Sequence, residues 1–238
     1  MKTIAIFAVV GLPMILIVPL GLIIFILSCL GLKRLMNLVV YRIARFWSLL
    51  LIKLTGCKLT VLGRENIPPK GGICFVSNHG SIFDIILLLA YAGRPIGFIA
   101  KKELALIPFL NIWIILIGGL FIDRNTARKA VGTIHAGVDR IRAGGAMIIF
   151  PEGHRSKGQG LLPFHPGSFK LATQAEAPIV PVAITGSYEV FEKTRRVRAL
   201  PVRVIFGKPI ITAELPPEER RKTLSDQVRA VIAEALES

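Results

Sequence analysis

Thirty consecutive residues, Thr3 to Leu32, carry no charged side chain. As a helix they would reach roughly 45 Å, against about 30 Å for the hydrocarbon core of a bilayer. Such a run needs lipid or protein to cover it. Pro13 and Pro19 fall inside it and would kink a helix, so a single tilted span and a bent re-entrant hairpin both fit. A cleavable signal peptide fits poorly, because the apolar part is too long and no small-x-small site follows. Lys33-Arg34 closes the run. From Leu35 to Leu54, Arg42, Arg45 and Lys53 are set among bulky apolar residues, the pattern of an interfacial helix. No Asp or Glu precedes Glu65. That purely cationic flank predicts a membrane location with the rest of the chain on the cytoplasmic face, the inner membrane in a bacterium.

Charge and composition select the same partner. The chain is 53% hydrophobic with a formal charge of +15, which suits an anionic phospholipid bilayer first and nucleic acid second. No zinc-finger spacing or aromatic RNP-like run accompanies the charge, so nucleic acid is set aside. The three cysteines, Cys29, Cys57 and Cys74, are an odd number without metal-ligand spacing. They read as reduced thiols in a reducing compartment.

Beyond Cys57 the pattern changes to short apolar runs alternating with helical periodicity. Strands are predicted at Leu59 to Leu62, Ile73 to Ser77, Ile96 to Ala100, Gly119 to Ile122, Met147 to Phe150, Ile179 to Ile184 and Val202 to Phe206, with a further short one at Ile210 to Thr212. Helices are predicted at Ile82 to Tyr91, Glu103 to Ile117 (interrupted by Pro108), Thr126 to Ala143, Ser168 to Gln174 and Glu218 to Glu237. The alternation argues an α/β fold: a mixed, largely parallel sheet flanked by helices, preceded by an N-terminal membrane-associated helical segment. The one boundary divides membrane-anchoring helices, residues 1–54, from an α/β domain, residues 55–238.

Chemistry concentrates at predicted strand ends. His79 and Asp84 lie five positions apart between a strand and a helix. Here the imidazole can act as a general base and the carboxylate can hold its tautomer. Lys101, Arg124 and Arg155 follow three other strands, where α/β sheets bind ligands. Cations there suit a phosphate, and Arg can bind one bidentately. His135 falls within a helix and reads as structural. No clustered His or Cys spacing points to a metal.

Asn78-His79-x4-Asp84, Lys101-x-Glu103-Leu104, Gly119-x-Phe121-Ile122-Asp123-Arg124, Phe150-Pro151-Glu152-Gly153-x-Arg155-Ser156 and Val180-Pro181-Val182-Ala183, in this order, resemble the glycerolipid acyltransferase family over roughly residues 55–215. The 1-acylglycerol-3-phosphate acyltransferase branch is the nearest. One position departs: the family usually has Thr where this chain has His154.

The resemblance implies transfer of a fatty acyl group to the sn-2 hydroxyl of lysophosphatidic acid, giving phosphatidic acid. The donor is a thioester, either acyl-CoA or acyl-carrier protein, and no cofactor or metal is bound. His79 and Asp84 are the implied catalytic pair. Lys101, Arg124 and Arg155 are the implied phosphate partners, with Glu152 and Gly153 shaping the acceptor site. Glu152 has an alternative role as structural partner of an Arg. Ser81 and His165 are expected to be structural. Two rival readings remain open: another lysophospholipid or glycerol-3-phosphate as acceptor, and a non-catalytic membrane-binding module on the same fold. An esterase using Ser81 is a third. The basic run Lys193 to Arg198 is expected either to attract anionic lipid or to be a solvated loop.

Overall fold

A computed structural model describes residues 19, 21, 23, 24, 26–123, 126–216, 218, 220 and 223–237. Most of the charge-free run, with Pro13, lies outside the described residues. The part that is described bends. A π-helical turn, Ser28–Leu32, places Gly31 at φ 88°, a conformation that costs glycine little. Ile24, ahead of the bend, packs in one cluster with Met36 and Val40 beyond it. Helix α1, Lys33–Thr55, follows and ends at Gly56 in the left-handed region. Its Val40, Ala44, Ser48 and Ile52 are buried. That four-residue spacing makes one stripe, which faces the domain. Leu35, Leu38 and Phe46 remain exposed.

Seven strands form one sheet in the order β1-β7-β6-β2-β5-β3-β4. They are β1 Lys58–Leu62, β2 Ile73–Ser77, β3 Ile96–Lys101, β4 Leu120–Ile122, β5 Ala146–Ile149, β6 Ile179–Thr185 and β7 Pro201–Phe206. Every pairing is parallel except β6 with β7. Strand β2 sits between β6 and β5 and is buried along its whole length. Its residues alternate between two cores. Ile73 and Phe75 join the cluster that includes Leu87, Leu88 and Ile114. Cys74 and Val76 join the cluster of Val138, Ile141, Leu171, Val228 and Ile232. Helices α2 Phe83–Tyr91 and α3 Leu110–Leu116 therefore cover one face. Helices α4 Ala127–Arg142, α5 Lys170–Ala175 and α7 Leu224–Glu237 cover the other, and a short α6, Ser187–Val190, follows β6.

The predicted α/β fold holds. Glu103 to Ile117 is interrupted at Pro108 as expected: Pro108 and Phe109 (φ 65°) separate a 3-10 turn, Lys102–Leu106, from α3. Three local features differ. Ile210 to Thr212 is no strand: Ile210 makes one antiparallel bridge to Ile179, and a 3-10 turn starts at Thr212. The closing helical stretch is broken: Glu218 and Arg220 are helical as expected, a turn stands at Thr223, and α7 runs on from Leu224. Helix α6 was not expected. Cys57 and Cys74 are free thiols. Burial pushes the Cys74 thiol up to about 12, so it is an inert core side chain.

Candidate active site

Parallel strands put their carboxyl ends on one rim of the sheet. On that rim β2 leads into the loop of His79. At the end of the strand, Asn78 takes the place of a backbone pair: its Nδ2 donates to the Ile184 carbonyl at 2.9 Å, and its Oδ1 accepts the Ile184 N–H at 2.8 Å. The loop is thereby tied to β6 at the point where β2 stops.

His79 is held from three directions. Its Nδ1 lies 2.9 Å from Asp84 Oδ2. Its ring stacks on Phe150, with centroids 4.0 Å apart. Its backbone is clamped by the loop after β5: the His79 N–H donates to Glu152 Oε1 at 2.7 Å, and its carbonyl accepts the Ser156 N–H at 2.8 Å. A carboxylate facing Nδ1 fixes the proton there, which leaves the Nε2 lone pair on the other edge of the ring. Nε2 has no partner among the described residues.

Asp84 is fully buried at the start of α2. Its Oδ2 also accepts the N–H groups of Gly80 (2.8 Å) and Ser81 (2.9 Å). The helix N-terminus adds favourable potential for a negative charge. Oδ1 is buried with no partner among the described residues. Ser81 is buried, and its hydroxyl accepts the Phe83 N–H at 2.9 Å, closing the first turn of α2. The amides of His79, Gly80, Ser81 and Phe83 are all engaged in these contacts, so none of the four is free to receive an oxyanion.

A cleft of about 1010 Å³ opens in front of His79. Lys101, Gly153 and Arg155 line it together with His79, and Phe98, Ile122, Val131, Ile134 and Ile149 form an apolar wall. Its lining is therefore part cationic and part apolar. Arg155 is paired with Glu192, Nη1 to Oε1 at 2.6 Å. Gly153 takes φ 76°, which turns the chain back at the cleft edge. Glu152 stands elsewhere than expected. It is 1% exposed and does not line the cleft, and among the described residues it pairs with no Arg. Its two oxygens accept the N–H groups of His79 and Leu162. Burial raises its carboxyl above the ordinary value, and those two amides partly oppose the shift. Arg124 lies outside the described residues. His165 lines the cleft and is exposed.

Four contributors to this geometry had no role in the sequence reading: the Asn78 bridge, the Phe150 ring, the Ser156 amide and Glu192. The first three lie in motif blocks, where the residues were visible but their partners were not. Glu192 has no local signal at all.

The acyltransferase family profile matches residues 58–185, a span that contains the loop of His79, the cleft cations and the Glu152 clamp. The chain belongs to the acyltransferase family. It is 30% identical to the 1-acyl-sn-glycerol-3-phosphate acyltransferase of Borreliella burgdorferi, over 78% of this chain and 74% of that one. With the enzyme of the same name from Escherichia coli it shares 33% identity, over 77% of this chain and 71% of the relative. It superimposes on the crystal structure of the 1-acyl-sn-glycerophosphate (LPA) acyltransferase of Thermotoga maritima with a TM-score of 0.82 at 26% identity, covering 99% of this chain and 93% of that one.

Proposed function

We propose that this chain is a 1-acylglycerol-3-phosphate O-acyltransferase. It moves a fatty acyl group from an acyl thioester, acyl-CoA or acyl-carrier protein, to the sn-2 hydroxyl of its acceptor and so makes phosphatidic acid. The observation that carries this is the 2.9 Å contact between His79 Nδ1 and a buried Asp84, with the other ring nitrogen left unpartnered at the edge of a half-apolar cleft. An alcohol is a weak nucleophile at neutral pH. His79 Nε2 takes the proton of the sn-2 hydroxyl while its oxygen attacks the thioester carbonyl carbon. Asp84 stabilises the imidazolium that forms. Collapse of the tetrahedral intermediate breaks the C–S bond, and the imidazolium proton goes to the departing thiolate. No enzyme serine enters this route, and the Ser81 hydroxyl is buried and committed to Phe83.

Lys101 and Arg155, both in the cleft lining, meet the acceptor phosphate, with Arg124 as a third partner. Gly153 shapes the acceptor site beside them. The apolar wall takes acyl chain. Glu152 acts from behind, by holding the His79 backbone.

The lipid acceptor and the phosphatidic acid product reside in a bilayer, and the chain docks there, the catalytic rim on the cytoplasmic face. The helix Leu35–Thr55 is long and apolar enough to cross a membrane. Outward-facing apolar side chains extend beyond it, with Ile23, Ile26 and Leu30 in the N-terminal segment and Leu106, Ile107, Phe109 and Ile115 around α3. Leu116 and Ile117, at the end of α3, pack in the cluster of Ile24, Met36 and Val40. The two groups are thus parts of one greasy flank, which suits residues 1–54 as the anchor of the 55–238 domain.

The test is acyl transfer to 1-acylglycerol-3-phosphate by the purified full chain, with acyl-CoA and acyl-carrier protein supplied separately. Phosphatidic acid should form, and His79→Ala should abolish it. Wild-type turnover by His79→Ala would overturn the mechanism.

A further inference from the structure

The cation that would meet the acceptor phosphate is already held by a carboxylate. Arg155 Nη1 donates to Glu192 Oε1 at 2.6 Å. The same oxygen receives the Ile82 N–H at 3.4 Å, within the loop that carries His79 to Asp84. Glu192 lies just past α6, outside every motif block and at the edge of the basic run Lys193 to Arg198. Its side chain is 19% exposed and that of Arg155 43%. Glu192 Oε2 is buried and has no partner among the described residues.

A half-satisfied, mostly buried carboxylate is a poor choice for stability. An amide or apolar group of similar shape would fold at least as well. What the carboxylate does supply is geometry. It takes one N–H of a guanidinium that carries five. The others meet no acceptor among the described residues, and Arg155 lines the cleft. Arg binds a phosphate through two N–H groups in fixed relation, so anchoring one edge presents the rest as a prepared fork.

We propose that Glu192 is a positioning residue that orients Arg155 toward a phosphomonoester in the cleft. Its tie to Ile82 sets that phosphate at a fixed distance from His79. Without the anchor, Arg155 sweeps freely, and the acceptor must order it on binding. The proposal rests on the reading of Arg155 as a phosphate partner.

The experiment is steady-state kinetics of the full chain in phospholipid–detergent mixed micelles. Donor and 1-acylglycerol-3-phosphate are varied in turn, for wild type, Glu192→Gln, Arg155→Ala and the double variant. Thermal unfolding is measured on the same samples. Glu192→Gln keeps shape and an acceptor oxygen but loses the charge. Its acceptor KM should rise about ten-fold, with kcat and donor KM within about two-fold of wild type and a melting temperature no lower. In the Arg155→Ala background the same change should add nothing. A Glu192→Gln enzyme with wild-type acceptor KM, beside an Arg155→Ala enzyme whose KM has risen, overturns the proposal. So does a fall of kcat and melting temperature together in both backgrounds, which marks a purely structural role. An Arg155→Ala enzyme with unchanged acceptor KM refutes the phosphate role of Arg155, and the role of Glu192 with it.

Discussion

The backbone N–H of His79 donates to Oε1 of Glu152 at 2.7 Å, across a sequence separation of 73 residues. The contact joins the two motif blocks behind the cleft and makes the position of the imidazole depend on a carboxylate no substrate can reach. In Glu152→Gln the side chain can accept one N–H, but its own NH2 group then faces the other donor. A buried donor left without a partner costs about 1–3 kcal/mol. The variant should lose stability on that scale at neutral pH and lose kcat more than it gains KM, as measured by thermal unfolding and initial rates.

The same carboxylate gives a pH signature. Burial raises Glu152 above its ordinary value of 4.5. The folded chain therefore binds this proton more tightly than the unfolded chain does. Its contribution to stability is full below the ordinary value and is lost as pH rises through the raised folded value. Unfolding of wild type against Glu152→Gln, from pH 4 upward, should show that loss in wild type alone. Parallel curves would refute the shift.

Asp84→Asn keeps the volume of the side chain and removes the charge that fixes the His79 proton on Nδ1. The turnover should fall by about 10²–10⁴-fold, in the range of general-base catalysis and of a lost orienting carboxylate. Circular dichroism should show the fold intact. Turnover within ten-fold of wild type would remove Asp84 from the mechanism.

Ser81→Ala separates acyl transfer to an alcohol from serine esterase chemistry. The hydroxyl accepts the Phe83 N–H at the first turn of α2, and losing such a contact costs about 0.5–2 kcal/mol. The melting temperature should drop while kcat stays within a few-fold. Complete loss of activity in a folded protein would reinstate a serine nucleophile.

Leu106 is 83% exposed beside α3. Burying a large aliphatic side chain in lipid is worth about 1.5–3 kcal/mol, so Leu106→Asp should weaken partitioning into anionic vesicles by about ten-fold or more. Turnover of an acceptor presented in detergent should be unchanged. Unaltered sedimentation with vesicles would take α3 out of the membrane contact.

The layered fold was legible because its cause is local. Buried parallel strands read as short apolar runs and their helices as a 3.6-residue period, so the run Ile73 to Ser77 predicts a strand, and β2 lies there. The interruption at Pro108 was legible for the same reason, since a proline breaks a helical path wherever it falls; only the 3-10 form of the first part, Lys102–Leu106, was not. Asp84 was legible too, since it stands five residues from its partner and one turn of chain brings the two together.

Residue types and order therefore determined the alternation of strands and helices, the charge-free leading segment and the pairing of His79 with Asp84. Each of these depends on interactions within a few residues along the chain. Tertiary structure alone decided that Glu152 turns inward to the His79 backbone, that Asn78 stitches β2 to β6, and that Glu192 holds Arg155. Those contacts link residues 37 to 106 positions apart. A side chain carries no local mark of which distant amide or guanidinium the packing of the sheet will set before it.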